Sequence, residues 1–91
     1  MQVYDSYKTT SVKRTGKVQI TGYRNGMAYL ADQRQTEDEA VRVIAVMESW
    51  QQRFRPSASD GEIDPFFWYD EGEISREEME IVYPAHMANR S

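Results

Sequence analysis

Alternating apolar positions, Val18 and Ile20 before Asn25-Gly26 and Met27, Tyr29 and Ala31 after it, mark the segment from Lys17 to Gln33 as two strands joined by a tight turn. Asn-Gly supplies the two positive-φ residues of a type I′ turn, so the pattern predicts a β-hairpin. With Asn25 and Gly26 as the loop, Gly22 falls opposite Tyr29 and Ile20 opposite Ala31. One face then carries Val18, Ile20, Met27, Tyr29 and Ala31, with Tyr29 expected to pack over the bare backbone of Gly22. The other carries Gln19, Thr21, Tyr23, Ala28, Leu30 and Asp32, a mixture suited to solvent or to a partner.

The period then lengthens. Ala40, Val43, Ile44, Met47, Trp50 and Phe54 recur at spacings of three and four, the apolar stripe of a helix predicted from about Glu37 to Phe54. Thr36 and Glu39 form a capping-box pair at its start, and Glu37 and Asp38 place negative charge beside the positive end of the helix dipole. Arg53, Arg55 and Pro56 mark its end. Val41 and Val46 fall off the stripe.

Elsewhere the pattern is weaker. Residues 1–11 hold no period and read as a mobile lead-in with an edge strand near Val12. Pro56 to Gly61 has the composition of a surface loop. Phe66-Phe67-Trp68-Tyr69 is rich in strand formers, so residues 66–70 are predicted as a strand that ends in the turn Asp70-Glu71-Gly72-Glu73. The next segment conflicts with itself. Ser75 with Glu78 is a second capping box, and Ile74 with Met79 occupies the hydrophobic-staple positions around it, yet Met79, Ile81 and Tyr83 alternate as a strand would. A hairpin alone buries little, so a strand over 78–83 is favoured. The tail from Pro84 to Ser91 is expected to fray. The predicted fold class is α+β: one domain over residues 1–91, a small antiparallel sheet of the hairpin plus C-terminal strands, packed on one main helix.

Length and composition narrow the classes of function. Ninety-one residues allow one small core, and the absence of cysteine removes disulfides and thiolate metal sites from consideration. Every apolar run is interrupted by charge, which excludes a membrane-spanning helix. With no apolar h-region at the N-terminus, a cytoplasmic location is expected.

Charge is the feature that points to function. Residues 1–55 carry nine Lys/Arg against six Asp/Glu, whereas residues 56–91 carry two against nine. All nine of those carboxylates lie between Asp60 and Tyr83, interleaved with four consecutive aromatics. Such a field attracts basic partners and repels phosphate. If residues 66–70 form a strand, two of the four rings face outward among carboxylates, the composition of a hot spot for an Arg/Lys-rich partner. The predicted partner-binding residues are Asp64, Trp68, Asp70, Glu71, Glu73 and Glu77.

Catalytic and metal chemistry find little support. His86 is the only histidine and falls in the tail, so a cluster of histidine ligands cannot be assembled. Asp60-Gly61-Glu62-Ile63-Asp64 resembles part of an EF-hand loop, but Pro65 then stands where the sharp turn needs glycine. No cofactor, no metal and no enzymatic activity are expected. Lys8, Lys13, Arg14, Lys17 and Arg24, interleaved with Tyr4, Tyr7 and Tyr23, are the nucleic-acid candidates. The net charge of −4 argues against that role, and edge-strand solubility accounts for the same residues.

The hairpin Lys17 to Gln33, the helix opening Thr36-Glu37-Asp38-Glu39 and the acidic aromatic stretch Asp60 to Glu80 together resemble, in size, composition and layout, the small acidic cysteine-free accessory proteins of phages and mobile elements, anti-CRISPR proteins among them. The resemblance implies inhibition by occlusion, an acidic surface filling a basic groove on a host nucleic-acid-binding complex in the cytoplasm. It carries over no individual residue. Two other readings stand beside it: a homodimeric regulatory or structural adaptor using Tyr23 and Leu30 on the outer hairpin face, and a small nucleic-acid binder using the N-terminal basic set.

Overall fold

Asn25 and Gly26 turn the chain at φ of 53° and 80°, as the type I′ hairpin requires. The computed structural model, which describes residues 1–54 and 62–89, places strands β1 (Ser6–Val12), β2 (Lys17–Arg24) and β3 (Met27–Arg34) in one antiparallel sheet of order β1-β2-β3. Helices α1 (Glu37–Arg53), α2 (Pro65–Asp70), α3 (Arg76–Val82) and α4 (Pro84–Ala88) follow. The fold class is α+β, as expected from the sequence. Its Cα extents of 40 × 35 × 17 Å leave room for two layers, one of sheet and one of helix.

The third strand comes from the N-terminus and not from the C-terminal third. Ser6 to Val12 pairs with Tyr23 to Lys17 along its whole length, so the supposed lead-in is a full strand. Ahead of it, the amide nitrogen of Ile63 donates to the carbonyl of Met1 at 2.9 Å and the Met1 nitrogen donates back to Ile63 O at 2.7 Å. The ring over Gly22 is also a different one. Gly22 and Tyr29 are paired, but a Cβ on Gly22 would lie 2.5–2.7 Å from ring atoms of Tyr4, which occupies the space, with Tyr29 packed beside it at 5.9 Å between centroids.

The hairpin register holds from the turn to Thr21 and then shifts. Thr21 faces Leu30, but Ile20 faces Asp32, which leaves Ala31 as the extra residue of a bulge. Because strand faces alternate, one inserted residue moves Asp32 and Arg34 to the helix-covered face. There Arg34 pairs with Asp32 at 2.7 Å and donates to the carbonyls of Ile81 (3.3 Å) and Val82 (2.8 Å) at the end of α3. The bulge thus ties the sheet to a helix terminus whose carbonyls need donors.

Helix α1 forms where predicted. The Glu39 N–H donates to Thr36 Oγ1 at 3.2 Å, and Ala40, Val43, Met47, Trp50 and Phe54 are buried while Ile44 is half-buried. Trp50 is 0% exposed.

The two predicted C-terminal strands are helices. Asp64 caps α2, accepting from the N–H groups of Phe66 (3.2 Å) and Phe67 (3.3 Å), and Pro65 fills the first helical position, where no N–H is needed. At the other end Gly72 adopts φ 82°, its N–H donates to Tyr69 O at 3.0 Å and the Glu73 N–H donates to Trp68 O at 2.9 Å. That is a Schellman motif, and only glycine takes its left-handed position without cost. In α3 the capping box of Ser75 and Glu78 closes in both directions, and the staple residues Ile74 and Met79 are both buried. Satisfied helix ends outweigh the local strand preference of the aromatics. The tail is ordered too: Pro84 opens α4 and Met87 is buried in the core, while residues 90 and 91 lie outside the described residues.

The core joins Val18 and Ile20 of the sheet, the α1 stripe, and Ile63, Ile74, Met79, Val82 and Met87 from the C-terminal half. The outer sheet face, with Leu30 60% exposed, carries no layer among the described residues. No described helix is long and apolar enough to cross a membrane.

Replacing Gly22 with Ala forces the Tyr4 ring off the sheet, because the new methyl meets the ring's Cγ edge and not a flexible tip. The expected cost is about 1–3 kcal/mol, the usual range for overpacking. Thermal melting together with near-ultraviolet circular dichroism checks it, the tyrosine signal changing along with the midpoint.

Candidate functional site

The turn between α2 and α3 gathers most of the predicted partner-binding residues, but in a helical arrangement. Phe67 is three and four residues ahead of Asp70 and Glu71, so the three share one face of α2. Phe67 is 51% exposed, the most exposed Phe, Tyr or Trp among the described residues. Asp70 and Glu71 are exposed at the C-terminal end of α2, Glu73 is exposed beyond Gly72, and Glu77 is exposed in the first turn of α3. Glu77 sits where a helix dipole favours negative charge; Asp70 and Glu71 sit where it disfavours it, and the last turn of α2 holds no basic residue.

Two of the predicted residues have structural tasks. Asp64 is the α2 cap, and Trp68 is half-buried, stacked on Phe54 at 4.6 Å with 19° between planes. The ring that faces outward is therefore Phe67, which contacts Trp68 edge-on at 5.1 Å. Sequence reasoning missed Phe67 because it read a strand. The signal that could have found it is Asp64-Pro65, a helix cap followed by the residue best suited to the first helical position.

Glu78, another of the nine carboxylates, is half-buried against the end of α1. The indole Nε1–H of Trp50 donates to its Oε2 at 3.0 Å, the Arg53 guanidinium approaches the same oxygen at 2.9 Å, and the Ser75 N–H donates to Oε1 at 3.2 Å. Burial pushes the Glu78 pKa up, but the Ser75 and Trp50 hydrogen bonds and the Arg53 charge outweigh it and leave the carboxyl below its ordinary range. Arg53 also donates to the carbonyl of Glu73, so one guanidinium holds both the turn and the start of α3. Glu80 pairs with Arg76 at 2.8 Å one helical turn away. Glu71, Glu73 and Glu77 make no ion pair among the described residues.

The basic candidates are dispersed. Lys8, Lys13 and Arg14 are exposed and Lys17 is half-buried, but Arg24 donates to Gln2 Oε1 at 2.8 Å and lies over the Tyr29 ring at 5.6 Å. Tyr4 and Tyr7 are half-buried against each other on the helix side of the sheet, the Tyr7 hydroxyl donating to Gln51 Oε1, and burial chiefly, with the charges of Tyr4 and Glu48, raises the Tyr7 pKa. Only Tyr23 of the three aromatics belongs to the outer face, through its pairing with Ser6 and Ala28.

His86 is exposed and packs on Phe66 at 4.6 Å. Among the described residues no three His, Asp or Glu side chains converge on a point that would hold a metal ion. Asp60 and Gly61 of the EF-hand-like stretch lie outside the described residues. An open groove of about 410 Å³ lies between β1 and α1. No protein-family model, curated protein or solved structure matches the chain.

Glu78→Gln keeps the shape but removes the charge that Trp50, Arg53 and Ser75 converge on. Since the folded carboxyl titrates below its ordinary 4.5, its contribution is fully present above that pH and is lost as pH falls through the lower folded value. The variant is expected to be about 1–2 kcal/mol less stable than the parent at neutral pH, a cost typical of hydrogen bonds to a charged group. Denaturant melts across pH check this, the gap between the two proteins closing in acid.

Proposed function

We propose that this chain is a non-enzymatic protein-binding module whose α2–α3 turn occupies a basic surface that its partner otherwise uses to hold nucleic acid, an inhibitor by occlusion of the anti-CRISPR kind. The observation that carries the reading is Phe67, 51% exposed one helical turn ahead of Asp70 and Glu71, with Glu71, Glu73 and Glu77 outside every ion pair among the described residues. Concentrating carboxylates on one turn costs self-repulsion, and two of them stand at the disfavoured end of a helix dipole. A partner's Arg or Lys side chains relieve both, and a guanidinium seated on the Phe67 face adds a cation–π contact. Charge of this kind speeds encounter and weakens with salt, while the aromatic ring slows dissociation.

The inward placement of Tyr4 and Tyr7 and the engagement of Arg24 weigh against a stacking platform for nucleic acid. The exposure of Leu30 supports the homodimeric adaptor as the second reading, with the outer sheet face as its contact.

Reversing Asp70, Glu71 and Glu73 to Lys is expected to abolish salt-sensitive capture of basic proteins from a lysate while leaving the melting temperature within a few degrees. Reversing Lys13, Arg14 and Lys17 to Glu should leave capture intact. Loss of capture in the basic-cluster variant and its retention in the acidic-turn variant would overturn the reading. Concentration-dependent dimerisation with no affinity for basic proteins would favour the adaptor.

A further inference from the structure

The sheet has two edges, and only one is protected. β3 carries the bulge at Ala31, and its last residue Arg34 is fastened to the end of α3. Bulges and covering elements are the usual devices that stop an edge from recruiting another strand. β1 has neither. Its seven residues, Ser6 to Val12, run in unbroken register with β2, contain one lysine and no proline, and among the described residues no strand lies on their other side.

Beneath that edge lies the groove of about 410 Å³ whose far wall is α1, lined by Tyr7, Lys8, Thr9, Val41, Ile44, Ala45 and Glu48, with Lys8 the one cation and on the outward-facing side of β1 through its pairing with Thr21. Its floor is apolar: Val41 is 52% exposed although it stands beside the buried stripe of α1. Its ends are acidic. Glu37, which accepts the Thr9 hydroxyl at 2.7 Å, and Glu48 sit three turns apart on α1 with the apolar residues between them.

We propose that β1 accepts a fourth strand, an extended segment of a partner protein with the pattern basic-x-apolar-x-basic. Paired to β1, alternate side chains of such a segment point toward α1. The central apolar one covers Val41, Ile44 and Ala45, and the flanking basic ones reach Glu37 and Glu48. The spans agree: residues four apart in a strand are roughly 13 Å apart, and residues eleven apart in a helix about 16 Å, a difference that Arg or Lys side chains bridge. A second copy of this chain fits less well. The helix side of its own β1 offers Tyr7, Thr9 and Ser11 and no cation, and pairing two copies edge to edge would set Glu37 and Glu48 of one near those of the other. The groove shares no residue with the α2–α3 turn, so this surface stands or falls independently of the function proposed above.

The test is a titration of the isotope-labelled full chain with the peptide Thr-Arg-Thr-Val-Thr-Arg-Thr, blocked at both ends, followed by nuclear magnetic resonance. Saturable shifts of the amides from Ser6 to Val12 and of Val41 and Ala45 are expected, together with slowed amide exchange along β1. The same peptide with Glu for Arg should not bind, and Glu48→Lys and Val41→Asp should each weaken binding by about tenfold, both sites being exposed enough to leave the fold unchanged. No saturation at millimolar peptide, equal binding of the acidic peptide, or shifts confined to the outer sheet face would overturn the proposal. So would β1 shifts that depend on protein concentration without peptide and accompany a doubled mass, which would make the occupant a second copy.

Discussion

The C-terminal half of this protein depends on one requirement: the indole N–H of a fully buried tryptophan needs an acceptor, and Glu78 provides it at 3.0 Å. An unsatisfied buried donor costs about 1–3 kcal/mol, a large part of the stability of a domain this size. Glu78 is fixed in turn by the capping box that starts α3 and by Arg53 from the last turn of α1. Helix start, core tryptophan and guanidinium thus share one carboxylate, and the position of α3 against α1 follows from it. The same Arg53 holds the carbonyl of Glu73, which joins the acidic turn to the body of the fold.

The sheet is joined to this arrangement from the other side. Ala31 is extra in its strand, so Asp32 and Arg34 face the helices, and Arg34 satisfies carbonyls at the end of α3. Helix α3 is therefore held at its start by α1 and at its end by β3. With Met79 and Val82 buried between those two attachments, a helix of seven residues, far too short to persist alone, has a defined place. The acidic turn that precedes it is displayed from a fixed base.

What the sequence made legible was whatever is decided locally. The Asn25-Gly26 turn, the Thr36 cap and the stripe from Ala40 to Phe54 are each specified within a few residues, and each forms where expected. The run Phe66 to Tyr69 was misread because strand preference was weighed above Asp64-Pro65 ahead of it and Gly72 behind it, although caps satisfy backbone groups that propensity leaves open. Ser75 and Glu78 announced α3; the competing alternation of Met79, Ile81 and Tyr83 was an accident of a short segment buried on more than one side. The bulge at Ala31, the seating of Tyr4 on Gly22 and the pairing of β1 depend on distant partners, which no local pattern carries. The candidate site was half legible for the same reason. Its charge could be counted from the sequence, but which ring stands among those carboxylates depends on the period of the backbone, and the helix substitutes Phe67 for Trp68.

The Trp50–Glu78 bond is therefore the clasp that sets α3 and the acidic turn. Trp50→Phe removes the N–H while keeping an aromatic ring in the core, and amide hydrogen exchange reads its effect residue by residue. Faster exchange at Glu73, Ile74, Met79 and Val82, with the amides of β1 to β3 unchanged, is the predicted result. Exchange that rises equally across sheet and helices, or not at all around α3, would contradict it.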